Sequence, residues 1–200
     1  MFNALLLFLS ILSCQPDYGM SYEVIEEIQP TDVVIDSFVQ PSPPEKLDVL
    51  IVLDTSGSMN DNFQQVSTGV ELLRGDIEKI TLDYKIGFIN SGLVNPYYAG
   101  PYDYNSDSID FLLAPYALGA DWYERAFQSM YEFVTNTPDG AAFFREDADK
   151  LIIFVSDEDE QGSIPTSIFH DWLVEKFEEV QHDVVAIVQI ENGECPLNWE

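Results

Sequence analysis

The sequence predicts an α/β fold: a doubly wound, mainly parallel sheet flanked by helices. Three observations carry this. Asp48-Val49-Leu50-Ile51-Val52-Leu53, Leu151-Ile152-Ile153-Phe154-Val155 and the run from Val184 to Ile190 are apolar segments rich in β-branched residues, the mark of strands buried on both faces. The segments between them carry apolar residues at steps of three and four, which puts those residues on one face of a helix. Strands alternating with helices form a parallel sheet through right-handed crossovers.

In chain order, the first strand is followed by a helix in which Phe63, Val66, Val70, Leu73, Ile77 and Ile80 share a face, with Asn60 or Asp61 at its N-cap. Tyr84-Lys85-Ile86-Gly87-Phe88-Ile89 alternates as a strand. Residues 91–120 are rich in Tyr, Pro, Gly and Asn and read as a long irregular insertion with a short strand at Ile109–Leu113. A helix from about Asp121 to Val134 buries Trp122, Ala126, Phe127, Met130 and Phe133. The strand at Leu151 runs into Ser156-Asp157. A helix opening near Pro165, a residue suited to a first turn, directs Phe169, Trp172, Leu173, Phe177 and Val180 inward. The third apolar strand, Val184 to Ile190, follows as a buried one.

The chain has 200 residues, one domain's length with room for a leader and a linker. Its 46% hydrophobic content, with 13 Phe and 10 Tyr, is ample for a core. Against 8 basic residues stand 36 acidic ones, a formal charge of −28. Such a surface repels nucleic acid and anionic membranes and gathers cations, so nucleic-acid binding is excluded as a main role. Adaptation to salty surroundings accounts for the bulk of such a charge.

Residues 1–14 are uncharged, with the apolar run Ala4 to Leu12 before Ser13-Cys14. That run is shorter than the roughly 20 residues a membrane span needs and suits a secretory signal core. Ile11-Leu12-Ser13-Cys14 resembles a bacterial lipobox, which makes Cys14 the lipidation candidate; a plain cleaved signal peptide is the alternative. Leu12 and the lack of Lys or Arg ahead of the apolar run depart from the lipobox pattern. Residues 15–45, with Pro16, Pro30, Pro41, Pro43 and Pro44, read as an extended tether with one edge strand at Asp32–Val39. Residues 46–200 form the folded domain. Cys195 is either the partner of a cysteine outside this chain or a buried free thiol.

In open α/β sheets ligands sit beyond the carboxyl ends of the strands, which points to the loops after Leu53, Ile89 and Val155. The first of these delivers Asp54, Ser56 and Ser58 at alternate positions around Gly57, and they converge where the backbone turns sharply. Asp157 ends a second strand on the same rim. Hydroxyls and carboxylates are ligands for hard cations such as Mg²⁺.

Asp54-Thr55-Ser56-Gly57-Ser58-Met59, after an apolar strand and before a helix, resembles the metal-ion-dependent adhesion site (MIDAS) of von Willebrand factor A (vWA) domains. The run Leu151 to Glu160 is similar to the strand and acidic loop of exported bacterial members of that family. The resemblance spans about residues 46–190 and implies a vWA/Rossmann-like fold. It also implies a non-enzymatic domain that binds a protein or cell-surface ligand through Mg²⁺ or Mn²⁺, at the bacterial envelope and joined to the membrane only through a lipid anchor. In the family the two serines touch the metal, and the first Asp and the later loop Asp support it through water. These roles would fall on Ser56, Ser58, Asp54 and Asp157. The family adds a threonine from the loop before its third helix; here Ala114 to Arg125 contains none, and by spacing Asp121 takes that place. Asp121 would then hold the metal more tightly and weaken its pull on an acidic partner; alternatively it is a helix N-cap. The family also places a further helix and strand after the third strand, so the chain is expected either to lack them or to be a fragment.

Tyr97, Tyr98, Tyr102, Tyr104 and Tyr116 in the long insertion are expected as exposed contact residues beside the metal, or as rings that pack the loop down. Glu158, Asp159 and Glu160 offer a second cation, Ca²⁺, an acidic loop, or solvated charge. An enzyme is the competing reading, a metal-dependent hydrolase of esters or phosphoesters, and a structural lipoprotein with a loop-fixing metal is the third. An aspartate-nucleophile phosphatase needs a second Asp where Ser56 stands, and a serine hydrolase needs a base, for which the chain has only His170 and His182. Gly57 and Gly69 make no nucleotide loop.

Overall fold

The structure is a computed structural model describing residues 42–92, 96–178 and 180–188. The expected leader with Cys14, the expected tether with a strand at 32–39, and Cys195 lie outside them. Five strands form one sheet in the order β3-β2-β1-β4-β5, where β1 is Leu47–Leu53, β2 Tyr84–Asn90, β3 Tyr98–Tyr102, β4 Asp149–Ser156 and β5 His182–Val188. β1 pairs in parallel with β2 and β4, β4 in parallel with β5, and only β3 runs antiparallel, against β2.

Strand alternation divides the core in two. Val49, Ile51 and Leu53 point to one face, where they meet Val70 and Ile77 of α1 (Phe63–Ile77) and Phe111, Ala114 and Leu118 of α2 (Ser108–Ala117) and its end. Leu50 and Val52 point to the other, against Phe127, Met130 and Phe133 of α3 (Ala126–Asn136), Phe143 of α4 (Pro138–Phe143), and Phe169 and Leu173 of α5 (Thr166–Lys176). The sheet is therefore covered by helices on both faces, a vWA/Rossmann-like α/β fold. No helix among the described residues is long and apolar enough to cross a membrane.

Several elements differ from the sequence reading. The expected strand at 109–113 is the middle of α2: Asp107 accepts from Ile109 N at 2.7 Å as its N-cap, and Phe111, Ala114 and Leu118 are buried at helical spacing. The strand of this region is β3 instead. The helix expected from Asp121 begins only at Ala126, and Trp122, expected inside, is 86% exposed. Asn60 and Asp61 lie in a 3-10 turn, Gly57–Asp61, and the N-cap of α1 is Asn62. Ile80 falls past the end of α1 and is exposed, and Pro165 is itself the N-cap of α5. β5, expected buried from Val184 to Ile190, is the outer strand among the described residues, with Val184, Val185 and Ile187 exposed and 189–190 outside them. A parallel edge strand has a neighbour on one side only, so apolar composition does not bury it.

Candidate metal-binding site

β1, β2 and β4 end on one rim, and backbone hydrogen bonds tie the loops beyond them together. Asp54 N donates to Val155 O at 2.8 Å, and Ser91 N to Leu53 O at 3.0 Å. The loop from α2 to α3 joins them: Asp121 N donates to Thr55 O at 3.2 Å, Arg125 N to Ser91 O at 2.8 Å, and Gln161 N to Glu124 O at 2.6 Å. Four segments of chain thus meet over the end of β1.

Asp54 is fully buried there. One carboxylate oxygen accepts from Ser56 N and the other from Ser156 Oγ, each at 2.8 Å. These charge-assisted bonds fix its orientation. The hydroxyl oxygens of Ser56 and Ser58 lie 2.7 Å apart, and Ser58 Oγ donates to Asp157 Oδ1 at 3.0 Å. Asp54, Ser56, Ser58 and Asp157 therefore form one connected cluster. The sharp turn that joins the two hydroxyls is the 3-10 turn, and it does not depend on glycine: a Cβ on Gly57 would meet open space.

Asp121 is buried at the edge of this cluster, and it is no N-cap, since α3 starts five residues on. Its oxygens accept from Trp122 N at 2.6 Å and Asn90 Nδ2 at 3.3 Å. Gly92 makes room for it, since a Cβ there would collide with the Asp121 carboxylate. A second buried carboxylate of this loop, close enough to Asp54 for the two charges to act on each other, is Glu124, which the sequence reading passed over. Glu124 is 4% exposed, and its Oε2 is buried without a hydrogen-bond partner. Burial raises its pKa, and the charges of Asp54 and Glu158 raise it further. The apolar pattern assigns 121–134 to a helix and so leaves Glu124 unremarked. Its one signal is the Asp121-x-x-Glu124 spacing in a segment where two carboxylates turn inward.

A divalent cation fits this donor set. A buried carboxylate oxygen without a partner beside a second buried carboxylate is costly unless a positive charge answers it. Among the described residues no three His, Cys, Asp or Glu side chains gather closely enough to hold an ion by themselves, so the serine hydroxyls are needed. An all-oxygen set suits Mg²⁺, Mn²⁺ or Ca²⁺.

In the acidic loop after β4, Glu160 serves the fold. Glu160 is buried; its Oε2 accepts from Phe127 N at 3.2 Å and its Oε1 from Gly162 N at 2.7 Å. It thus caps the first turn of α3, whose own N-cap residue, Arg125, supplies no side-chain bond. Burial raises its pKa. Glu158 and Asp159 are exposed.

The tyrosines divide. Tyr97 and Tyr116 are exposed near the rim: Tyr97 N donates to Asn90 Oδ1 at 2.7 Å, and the Tyr116 ring lies 5.6 Å from that of Phe63. Tyr98 turns inward against Phe133 and Phe143, and burial raises its pKa. Tyr102 packs on Phe88 and Phe111. Because β3 is antiparallel, Tyr102 sits opposite Ile86, toward the start of β2, and Tyr104 follows it away from the rim. The rim's most exposed ring is Trp122, beside Tyr123, over which the Arg125 guanidinium lies at 4.2 Å.

No family model matches the sequence, and no curated protein matches it. Solved structures do. Proximal thread matrix protein 1 from the mussel byssus, in a structure described with a zinc-occupied MIDAS motif, superposes with a TM-score of 0.53 at 17% identity, over 74% of this chain and 36% of that one. A second structure of the same protein gives 0.52 at 16% identity, over 72% and 37%. The pilus adhesin SpaC of Lactobacillus rhamnosus GG gives 0.45 at 14%, over 58% and 15%. The chain thus spans about a third of the mussel protein's length. The fold is vWA-like.

Proposed function

We propose that this chain is an exported vWA-like domain, lipid-anchored at the bacterial envelope through Cys14, that binds a protein or cell-surface partner through Mg²⁺ or Mn²⁺. The observation that carries the proposal is the union of the Ser56, Ser58 and Asp157 oxygens with the partnerless Oε2 of buried Glu124. When bound, the cation supplies a Lewis-acid position for an oxygen of the partner. Ser56 and Ser58 donate neutral oxygens, Asp157 and Glu124 charged ones. Asp54 holds the Ser56 amide and so sets the loop, and Asp121 is tied to that loop through its own amide, which donates to Thr55 O. Asp54, Asp157 and Glu124 against a dication leave a formal excess of about one negative charge, which disfavours a partner carboxylate and favours a hydroxyl or carbonyl. Glu124 adds to the site the same electrostatic effect that the resemblance attaches to Asp121.

Binding without catalysis is the reading the surroundings support. His170 is exposed on α5, and His182 pairs with Lys150 at the start of β4, the end of the sheet away from the rim. Neither can serve Ser56 or Ser58 as a base. The test is calorimetric titration of the purified chain with Mg²⁺ and Mn²⁺, with capture of envelope proteins or glycans in parallel. We expect both to be lost on Ser56→Ala with Ser58→Ala, and capture to be lost with chelator. Metal-dependent ester or phosphoester turnover would replace this reading with the hydrolase, and metal binding without any capture with the structural role.

A further inference from the structure

The helix that the sequence hid carries a second surface. α2 buries Phe111, Ala114 and Pro115 on one side, yet Ile109, Leu112, Leu113 and Tyr116 on the other are 66%, 39%, 52% and 53% exposed. These four stand at i, i+3, i+4 and i+7, one continuous stripe of the helix. A ten-residue helix that is apolar on both sides is normally covered on both sides. The surroundings of the stripe indicate what covers it. From Ile86 to Glu124 the chain holds no Lys, Arg or His, while Asp103, Asp107, Asp110, Asp121 and Glu124 fall within it. Asp107 caps the helix and Asp110 rides on its first turn, both exposed.

We propose that the outward face of α2 is a docking surface for an amphipathic, basic segment of another protein. The partner's apolar residues would cover Ile109, Leu112, Leu113 and Tyr116, and its Lys or Arg residues would face Asp107 and Asp110. The charge of this face selects the occupant. A second copy of the chain would bring its own −28 to the contact, and an anionic lipid surface would meet the exposed carboxylates of Asp107 and Asp110, since the one nearby cation among the described residues, Arg74, is buried and bonded to Ser106 O. An i, i+3, i+4, i+7 stripe matches the spacing with which one helix is laid against another.

The probe is a synthetic helical peptide of Leu and Lys with one apolar face, beside its counterpart of Leu and Glu, both read by fluorescence anisotropy on the full chain. Chelator is present throughout, so failure of the metal-site proposal leaves this measurement untouched. We expect the Leu/Lys peptide to bind and the Leu/Glu peptide not to. Leu112→Ser with Leu113→Ser should weaken binding by about tenfold or more, a loss of roughly 1.4 kcal/mol, while Leu72→Ser, at a still more exposed leucine of α1, leaves it unchanged. Asp110→Lys should weaken it too, and salt should weaken it in the parent chain. If the double variant loses its circular dichroism, Ile109→Ser at the far end of the stripe takes its place. Equal affinity of the parent and stripe variants for the Leu/Lys peptide overturns the proposal, because charge alone then explains binding. So does binding to phosphatidylcholine vesicles, or self-association, that the stripe variants abolish.

Discussion

At Glu124 two tendencies of a buried carboxylate oppose each other. Burial and the neighbouring Asp54 favour its neutral form, whereas a cation on Ser56 and Ser58 would favour its charged form. Glu124→Gln keeps the shape and removes the charge, so metal affinity should fall roughly 10–100-fold while the fold is retained, as calorimetry on the parent and variant would show. Unchanged affinity would remove Glu124 from the site. Glu160, on the adjoining loop, acts on the fold instead. Its two oxygens each accept a backbone amide, so Glu160→Gln turns an NH₂ group toward one of them and should cost about 1–3 kcal/mol in denaturant unfolding. Because burial raises its pKa in the fold, the folded chain holds this proton more tightly than the unfolded one. The stabilisation linked to it is complete below the ordinary carboxylate value of 4.5 and is lost as pH rises through the higher folded value. The stability gap between parent and Glu160→Gln should therefore be widest at low pH and narrow upward.

At the scale of elements, β1 carries a charge into the core at its start. Asp48 is fully buried, and Arg145, from the turn before β4, donates to it through N at 2.6 Å and Nε at 2.8 Å. The same guanidinium pairs with Asp83 ahead of β2. Arg145→Ala leaves Asp48 with the backbone amide from that turn as its hydrogen-bond donor and with the charge of buried Lys150, its neighbour on β4. It should destabilise the chain by about 3–5 kcal/mol, seen as a lowered denaturation midpoint, whereas Asp48→Asn with Arg145→Ala should recover part of the loss. None of this pairing is visible in sequence, since 97 residues separate its members. What sequence does reveal is local. β1, β2, β4, α1 and α5 each announce themselves through an apolar period, and the Asp54-Thr55-Ser56-Gly57-Ser58 loop through its position after one of them. α2 escapes because Tyr, Pro and Gly surround it and because its outward face is apolar too, which erases the contrast between faces that marks a helix. Loop 121–125 misleads for the opposite reason. Trp122 has the spacing of a core residue, but the strand-end loops draw Asp121 and Glu124 inward and turn the ring out. The exposure of β5 could not be read either, because burial of an outer strand depends on what lies beside it.

Across the whole molecule the formal charge of −28 sets the response to ions. Like charges over one domain repel each other and weaken the compact state. Raising salt from 0.1 M to 1 M shortens the screening length from about 10 Å to about 3 Å, so the melting temperature should climb with NaCl. A divalent cation acts in two ways that must be separated: it screens and condenses on any acidic surface, and at the rim it would bind the folded state alone. At matched ionic strength MgCl₂ should therefore raise the melting temperature beyond NaCl. The excess at one hundred times the dissociation constant corresponds to about 2.7 kcal/mol, or roughly 5–10 °C for a domain of this size. Ser56→Ala with Ser58→Ala takes away two neutral oxygens and no charge, so it leaves the diffuse response intact and should abolish the excess alone. If the excess persists in that variant, it comes from the acidic surface at large, and the site at the end of β1 holds no ion of its own.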